Sequence, residues 1–219
     1  GGPPSGYDYG TEQTSRTQGF QAIRAYHNVR KDLEAGFTTL RSLSSPAYID
    51  VGLRDAINAG LVDGPRIRAC GQGLTITGGH MDKGQFAPEI TVAGRTGVGD
   101  GPCGLRQAAR EQIKRGADVI KVNAAVSRYR VDYTHDKPYH QEMTYEEMEA
   151  ICQEAHWWGL KVAAHAHGGQ GITDGVRAGL DSIEHAPWID EEQADMMAER
   201  GVFYIPTLIT HTRGLEFGK

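Results

Sequence analysis

The sequence predicts an α/β fold built as a parallel (β/α) barrel, and three observations carry that expectation. Apolar β-branched runs alternate with helix-like segments from about residue 20 to about 208. Near the C-terminus the strand-plus-helix unit recurs at a nearly constant interval, and strands separated by helices must run parallel because a crossover helix returns the chain to the same edge. Finally, Val119-Ile120-Lys121, Val162-Ala163-Ala164-His165 and Ser182-Ile183-Glu184-His185 are apolar runs that each end in a residue able to reach a metal. In a parallel barrel the C-terminal strand ends converge on one site.

Taken in order, residues 1–19 are rich in Gly, Pro, Ser and Thr and read as a loop or frayed segment, with the barrel portion spanning 20–219. A helix is expected near 20–35, where Ala22, Ile23, Tyr26, Val29 and Leu33 recur at helical intervals before Gly36. Strands are expected at 37–42 and 65–71, with a helix over 49–60 between them. The Gly-rich stretch 74–102 is too long for a plain connection, and such insertions are usually functional or mobile. A helix at 103–115 leads to a strand at 117–122, followed by a polar loop over 124–143. Thr144 and Glu147 form a capping box for the next helix, since each side chain can satisfy an otherwise orphaned backbone N–H. The remaining strands are expected at 160–166, 181–185 and 202–208, with helices near 170–178 and 190–200. Six strands can be counted where a closed barrel needs eight. No Gly-x-Gly-x-x-Gly stands between a strand and a helix, which disfavours a dinucleotide-binding sheet.

Bulk properties narrow the function classes. Net charge is −5 over 219 residues with both signs interspersed, so nothing points to nucleic acid. The basic row Arg106, Arg110, Lys114 and Arg115 reads as a solvated helix face. Cys70, Cys103 and Cys152 form no Cys-x-x-Cys pair, which argues against a disulfide framework or a thiolate zinc site. No apolar run approaches the ~18 residues of a membrane span. The compartment is left open.

Four histidines and a lysine carry the chemistry. Lys121 closes an apolar strand, where a charged ammonium is expensive to desolvate. Burial lowers a lysine pKa, and a neutral amine can add carbon dioxide to become an anionic carbamate. A lysine paired with a carboxylate, or a Schiff-base lysine of a lyase or aldolase barrel, fits the same position. His165 and His167 lie two apart in a strand and so share a face, and neutral imidazoles suit zinc and similar cations. His185 sits one strand–helix unit after His165 on the neighbouring strand. His80, after Gly78-Gly79, is either a substrate contact or an exposed loop histidine, and Tyr129 is a candidate from its place in the 124–143 loop.

The motifs Gly36-Phe37-Thr38-Thr39-Leu40-Arg41, Arg54-Asp55-Ala56-Ile57, Gly64-Pro65-Arg66 and Gly78-Gly79-His80 then resemble the amidohydrolase superfamily. So do Gly116-Ala117-Asp118-Val119-Ile120-Lys121, His165-Ala166-His167-Gly168 and Ser182-Ile183-Glu184-His185. The similar branch is the imidazolonepropionase-like and prolidase-like group, which includes ochratoxin amidases. This resemblance implies a TIM-barrel hydrolase of amide or dipeptide-like C–N bonds with two zinc ions bridged by a carboxylated lysine. It implies Lys121 as that lysine, His165 and His185 as metal ligands, and His167 and His80 as substrate-facing groups; Tyr129 joins them as a substrate-binding candidate only from its place in the loop. Three departures go with it. The first-strand His-x-His pair and the eighth-strand aspartate that serves as general base have no counterpart here, and Ser42 stands where an aspartate is common. The chain is therefore expected to correspond to strands two to seven, without the accessory β-sandwich, and to be a poor catalyst alone. Open sheet edges would favour association, including a homo-oligomer. A non-catalytic segment that assembles with other chains is the remaining alternative.

Overall fold

The computed structural model describes residues 15–82, 89, 97–126 and 140–208. Helix α1 (Gln18–Glu34) starts two residues earlier than its apolar periodicity suggests, because the Thr17 side chain accepts from the Phe20 amide at 3.3 Å and caps the first turn. Strand β1 (Thr39–Arg41), a short 3-10 turn (Pro46–Tyr48), α2 (Ile49–Asn58) and β2 (Arg66–Arg68) follow. Helix α3 (Gly101–Lys114), β3 (Val119–Val126) and a two-residue strand β4 (His140–Gln141) lead to α4 (Tyr145–Trp157). The chain then alternates β5 (Lys161–Gly168), α5 (Gln170–Ala178), β6 (Ser182–Trp188), α6 (Glu191–Arg200) and β7 (Phe203–Ile205). Capping boxes open α4 at Thr144/Glu147 and α6 at Asp190/Gln193.

The strands form a two-stranded parallel sheet, β1-β2, and a five-stranded sheet in the order β4-β3-β5-β6-β7. A single parallel bridge between Leu74 and Val122 joins them, with the Leu74 amide donating to the Lys121 carbonyl at 2.7 Å. Six parallel strands thus lie side by side in chain order, and β4 adds antiparallel to β3. They curl. Neighbouring strands are about 4.8 Å apart, so a flat sheet would hold β1 and β6 about 19 Å from each other. Instead Arg41 on β1 donates to Ser182 at 3.0 Å and to Glu184 at 2.7 Å, both on β6. The six strands wrap a common interior, although the described strands do not close into a complete barrel by hydrogen bonding.

The core lies outside this curl. Outward residues Ile120 and Val122 of β3, Val162 and Ala164 of β5 and Ile183 of β6 pack against Leu105, Met148, Ile151, Ile172 and Val176 from α3, α4 and α5. Burying each large aliphatic contributes about 1.5–3 kcal/mol. A smaller cluster of Val51, Ile67 and Ala69 supports the β1-β2 sheet.

Several sequence expectations are corrected. β3 runs to Val126 and β5 to Gly168, beyond the expected ends at 122 and 166, so Lys121 and His165 sit well within their strands. Cys70 lies beyond β2, buried in the interior with Val119 and Ala163. The basic row on α3 is not simply solvated. Arg106 and Arg110 both reach the buried Glu154 on α4, at 3.4 and 2.9 Å, and tie the two helices together. Strand β4 was not anticipated, because two residues carry no periodic pattern. Among the described residues no helix is long and apolar enough to cross a membrane.

Candidate metal and substrate site

Alternation along β3 and β5 sorts the chemistry to the interior. Val119 and Ala163 form an apolar floor with Cys70. The next inward residue of β3 is Lys121, which is 3% exposed. Asn123 pairs in register with His165, one inward step above Lys121. Burial pushes the Lys121 amine down to about 7; the charge of Glu184 opposes the shift without cancelling it. The Lys121 Nζ atom has no hydrogen-bond partner. Glu184 is itself buried, but Arg41 and the Ser182 hydroxyl, at 2.7 and 2.8 Å, already engage the same carboxylate oxygen.

His165 is also buried, and its Nε2 has no hydrogen-bond partner. Desolvation lowers its pKa strongly, reinforced by the charge Lys121 would carry and by the neighbouring imidazoles. The ring is therefore neutral, the form that ligates metals.

His185 reaches the same point by a different device. Glu184 faces inward, so strict alternation would turn His185 outward. Instead His185 and Ala186 both take positive φ, 75° and 36°. Left-handed backbone at a non-glycine residue costs about 1–3 kcal/mol and persists only where its surroundings hold it. Here the Tyr204 hydroxyl donates to the carbonyls of His185 and Ala186, at 3.2 and 3.3 Å. The break brings the His185 ring to 4.7 Å from that of His165. Its Nδ1 lies 2.6 Å from the Thr207 hydroxyl, a contact that fixes the orientation of the ring.

His80 is delivered from the loop after β2 and stacks on His165 at 4.5 Å, with 17° between the planes. The buried Glu142, next to β4, holds that loop. Its carboxylate accepts the His80 amide at 3.0 Å and the Thr75 hydroxyl. Burial raises the Glu142 pKa, and those hydrogen bonds pull the other way. His167 completes the group, 4.7 Å from His165, 6.3 Å from His185 and 5.9 Å from the indole of Trp188.

The structure therefore gathers His80, His165, His167 and His185, with Lys121 close enough beneath for its charge to bear on His165. Tyr129 lies outside the described residues. Arg41, Glu142, Glu184, Trp188 and Thr207 were missed. Glu184 and Arg41 lay inside motifs already singled out, whereas nothing local marks Thr207 or Trp188. Among the described residues no three His, Cys, Asp or Glu side chains are spaced to hold a metal. A metal here would need Lys121 or further donors to complete its shell. The chemistry of the donors fits such an ion: an orphaned buried amine, an orphaned neutral imidazole, and a second imidazole oriented by a hydroxyl.

Comparison with known proteins agrees with this arrangement. The model of the amidohydrolase family matches residues 11–216. Ochratoxinase of Aspergillus niger is 34% identical over 189 residues, covering 80% of this chain and 38% of the fungal enzyme. The crystal structure of A. niger ochratoxinase superposes with a TM-score of 0.85 at 28% identity, over 98% of this chain and 51% of that one. A Xaa-Pro dipeptidase with methionine bound in its active site gives a TM-score of 0.83 at 34% identity, over 92% of this chain and 50% of the other. The chain thus spans about half the length of these solved relatives. From the interior histidines and lysine together with this near end-to-end match, the chain belongs to the amidohydrolase family.

Proposed function

We propose that this chain forms the ligand-bearing part of a metal-dependent hydrolase acting on an amide or dipeptide-like C–N bond. In this reading its six parallel strands correspond to strands two to seven of a TIM barrel. Lys121, in carboxylated form, together with His165 and His185 would hold the two zinc ions. His167, His80 and Tyr129 contact the substrate. The observation that carries the reading is the buried, partnerless Lys121 Nζ beneath the buried, partnerless Nε2 of His165.

The residues themselves have definite tasks. With a pKa near 7, a large fraction of Lys121 is neutral at physiological pH and free to attack carbon dioxide. That step forms an N–C bond, opens one C=O π bond of carbon dioxide and releases one N–H proton, converting an unpartnered neutral amine into a two-oxygen anion. Arg41 keeps Glu184 occupied, so that carboxylate does not capture the lysine as an ion pair. Thr207 orients His185, and Glu142 holds His80 over His165. Zinc, when bound, would polarise the scissile carbonyl and acidify water. Ochratoxinase and the Xaa-Pro dipeptidase support a small amide or dipeptide as the substrate class.

The test has two direct readouts. Incubation with 13C-bicarbonate and zinc should give a carbamate resonance and retained zinc by elemental analysis, both absent in Lys121→Met. A chain that keeps no zinc, shows no carbamate and is instead trapped by borohydride with a carbonyl compound would replace this reading with Schiff-base chemistry.

A further inference from the structure

At the end of the strands opposite the histidines, the charges do not balance. Thr39 opens β1, Arg66 opens β2 and Asp118 stands just before β3. Around them lies a cavity of about 620 Å³, lined also by Arg54, Asp55 and Arg68. The lining holds three arginines and two aspartates. Both aspartates are engaged by one guanidinium. Arg54 pairs with Asp55 and with Asp118, each at 2.8 Å, and donates to the Gly116 carbonyl at 2.5 Å. Asp118 also accepts from the Ala69 amide at 3.0 Å. Arg66 donates to the Thr39 hydroxyl at 3.2 Å, a neutral partner that leaves its charge uncompensated. Among the described residues no carboxylate pairs with Arg66 or Arg68.

Strand register adds to the imbalance. Arg41 and Arg68 are partners across β1 and β2, and Ile67 faces the outer cluster, so Arg41, Arg66 and Arg68 share the inner face. Glu184 answers Arg41 at 2.7 Å, but nothing comparable answers the other two. Like charges side by side on neighbouring strands repel. Arg66 and Arg68 are about 6.6 Å apart along the strand, so two long side chains can converge on one small anion between them. Guanidinium forks match the oxygens of a phosphate group. The Thr39 hydroxyl accepts from Arg66 and keeps its own hydrogen for such an anion. We infer that this cavity is a binding site for a phosphate-type oxyanion, held between the guanidiniums of Arg66 and Arg68. The anion relieves repulsion within the β1-β2 sheet and stabilises a sheet whose own core is only the small cluster around Val51. The inference is independent of the proposed function, because the chemistry of such strands gathers at their other end.

Inorganic phosphate is the probe, titrated into this chain by calorimetry at constant ionic strength with EDTA present. Binding should saturate at a single site with a dissociation constant on the order of 1 mM, and phosphate should raise the urea midpoint. Arg66→Gln and Arg68→Gln should each weaken binding roughly tenfold, and the double substitution should abolish the midpoint shift. Arg68→Lys keeps the charge but loses the fork and should recover only part of the affinity. Without phosphate, Arg68→Gln should unfold at a urea midpoint no lower than that of the unaltered chain, since a repulsive neighbour is gone; this shows that the variant folds. Arg16→Gln removes one positive charge outside the cavity and should leave binding within about twofold. Glycerol 3-phosphate in a parallel arm identifies the source of the phosphate group. Tighter binding than inorganic phosphate assigns the site to a phosphate monoester, weaker binding to the free ion, and both uphold it. Non-saturable uptake, or unchanged binding in the Arg66 and Arg68 variants, means an adventitious ion only and overturns the inference. Equal weakening by Arg16→Gln and Arg68→Gln reduces the effect to net charge and overturns it too. Loss of phosphate binding in Lys121→Met would put the anion among the histidines, again against the inference, whereas retained binding there upholds it whatever becomes of the proposed function.

Discussion

The two faces of β5 invite comparison because they are built from the same eight residues. Outward, Val162, Ala164 and Ala166 are fully buried in the main core, where every apolar atom finds neighbours. Inward, Ala163, His165 and His167 alternate with them, and His165 keeps a ring nitrogen with no hydrogen-bond partner. β3 repeats the contrast, with Ile120 and Val122 packed outside and Lys121 unpartnered inside. One face supplies stability and the other holds reactive groups at some expense of it. Because alternation divides them residue by residue, neighbouring substitutions should have opposite signs.

The largest expected effect lies on the outer face. Ile183→Ala removes a fully buried side chain and should lower unfolding free energy by about 2–5 kcal/mol, read by urea denaturation, while zinc affinity of the folded protein stays constant. On the inner face, Lys121→Met should act in the reverse direction. It replaces a buried amine without a partner by an apolar side chain of similar length and should raise metal-free stability by about 1–3 kcal/mol at neutral pH. Zinc retention should disappear with it.

The sign also shows in pH dependence. Lys121 has a folded pKa of about 7 against 10.5 unfolded, so between those values the unfolded chain binds more protons. Stability of the metal-free chain, measured without carbon dioxide, should rise with pH through that window, and Lys121→Met should flatten the rise. A profile that is already flat in the unaltered chain would erase the contrast between the faces.

Thr207→Val sharpens the comparison at a single hydrogen bond. Loss of the contact to His185 Nδ1 should weaken zinc binding by about 10- to 100-fold, with little change in the urea midpoint. The smallest effect belongs to Asp181, remote from the interior histidine cluster. Its burial favours the neutral acid, but bonds from Lys161, His156 and the Val162 amide outweigh that and lower the pKa below 3.8. Its contribution is therefore present above the unfolded value and lost as pH falls through the folded one. Asp181→Asn should lower stability at neutral pH by less than about 1 kcal/mol and remove that acid-limb slope.

Periodicity made the strands and their order legible, because each of β3, β5 and β6 is an apolar run bounded by glycine or a charged residue. It also exposed Lys121, His165 and His167 as residues sharing an interior face. What stayed hidden depends on distance in sequence or on backbone hand. Arg41 meets Glu184 only because the sheet curls, and no local pattern records a contact between the first and the sixth strand in order. His185 seemed a simple repeat of His165, yet regular alternation would have turned it away; the left-handed residues 185 and 186 are a tertiary effect held by Tyr204. Glu142 sits after a two-residue strand too short to show a pattern, although it positions the loop that carries His80.

The hydroxyl of Thr207 lies just beyond β7, in backbone that is itself left-handed at 46°. An imidazole on one strand is thereby steered by the residue that follows the next. Removing the polypeptide from residue 206 onward would delete none of His80, His165, His167 or His185, yet it would take away the hydroxyl that contacts His185 Nδ1. Assembly of the histidine cluster thus depends on the docking of β7 and the residues just after it, so correct ring orientation becomes a reporter of that docking.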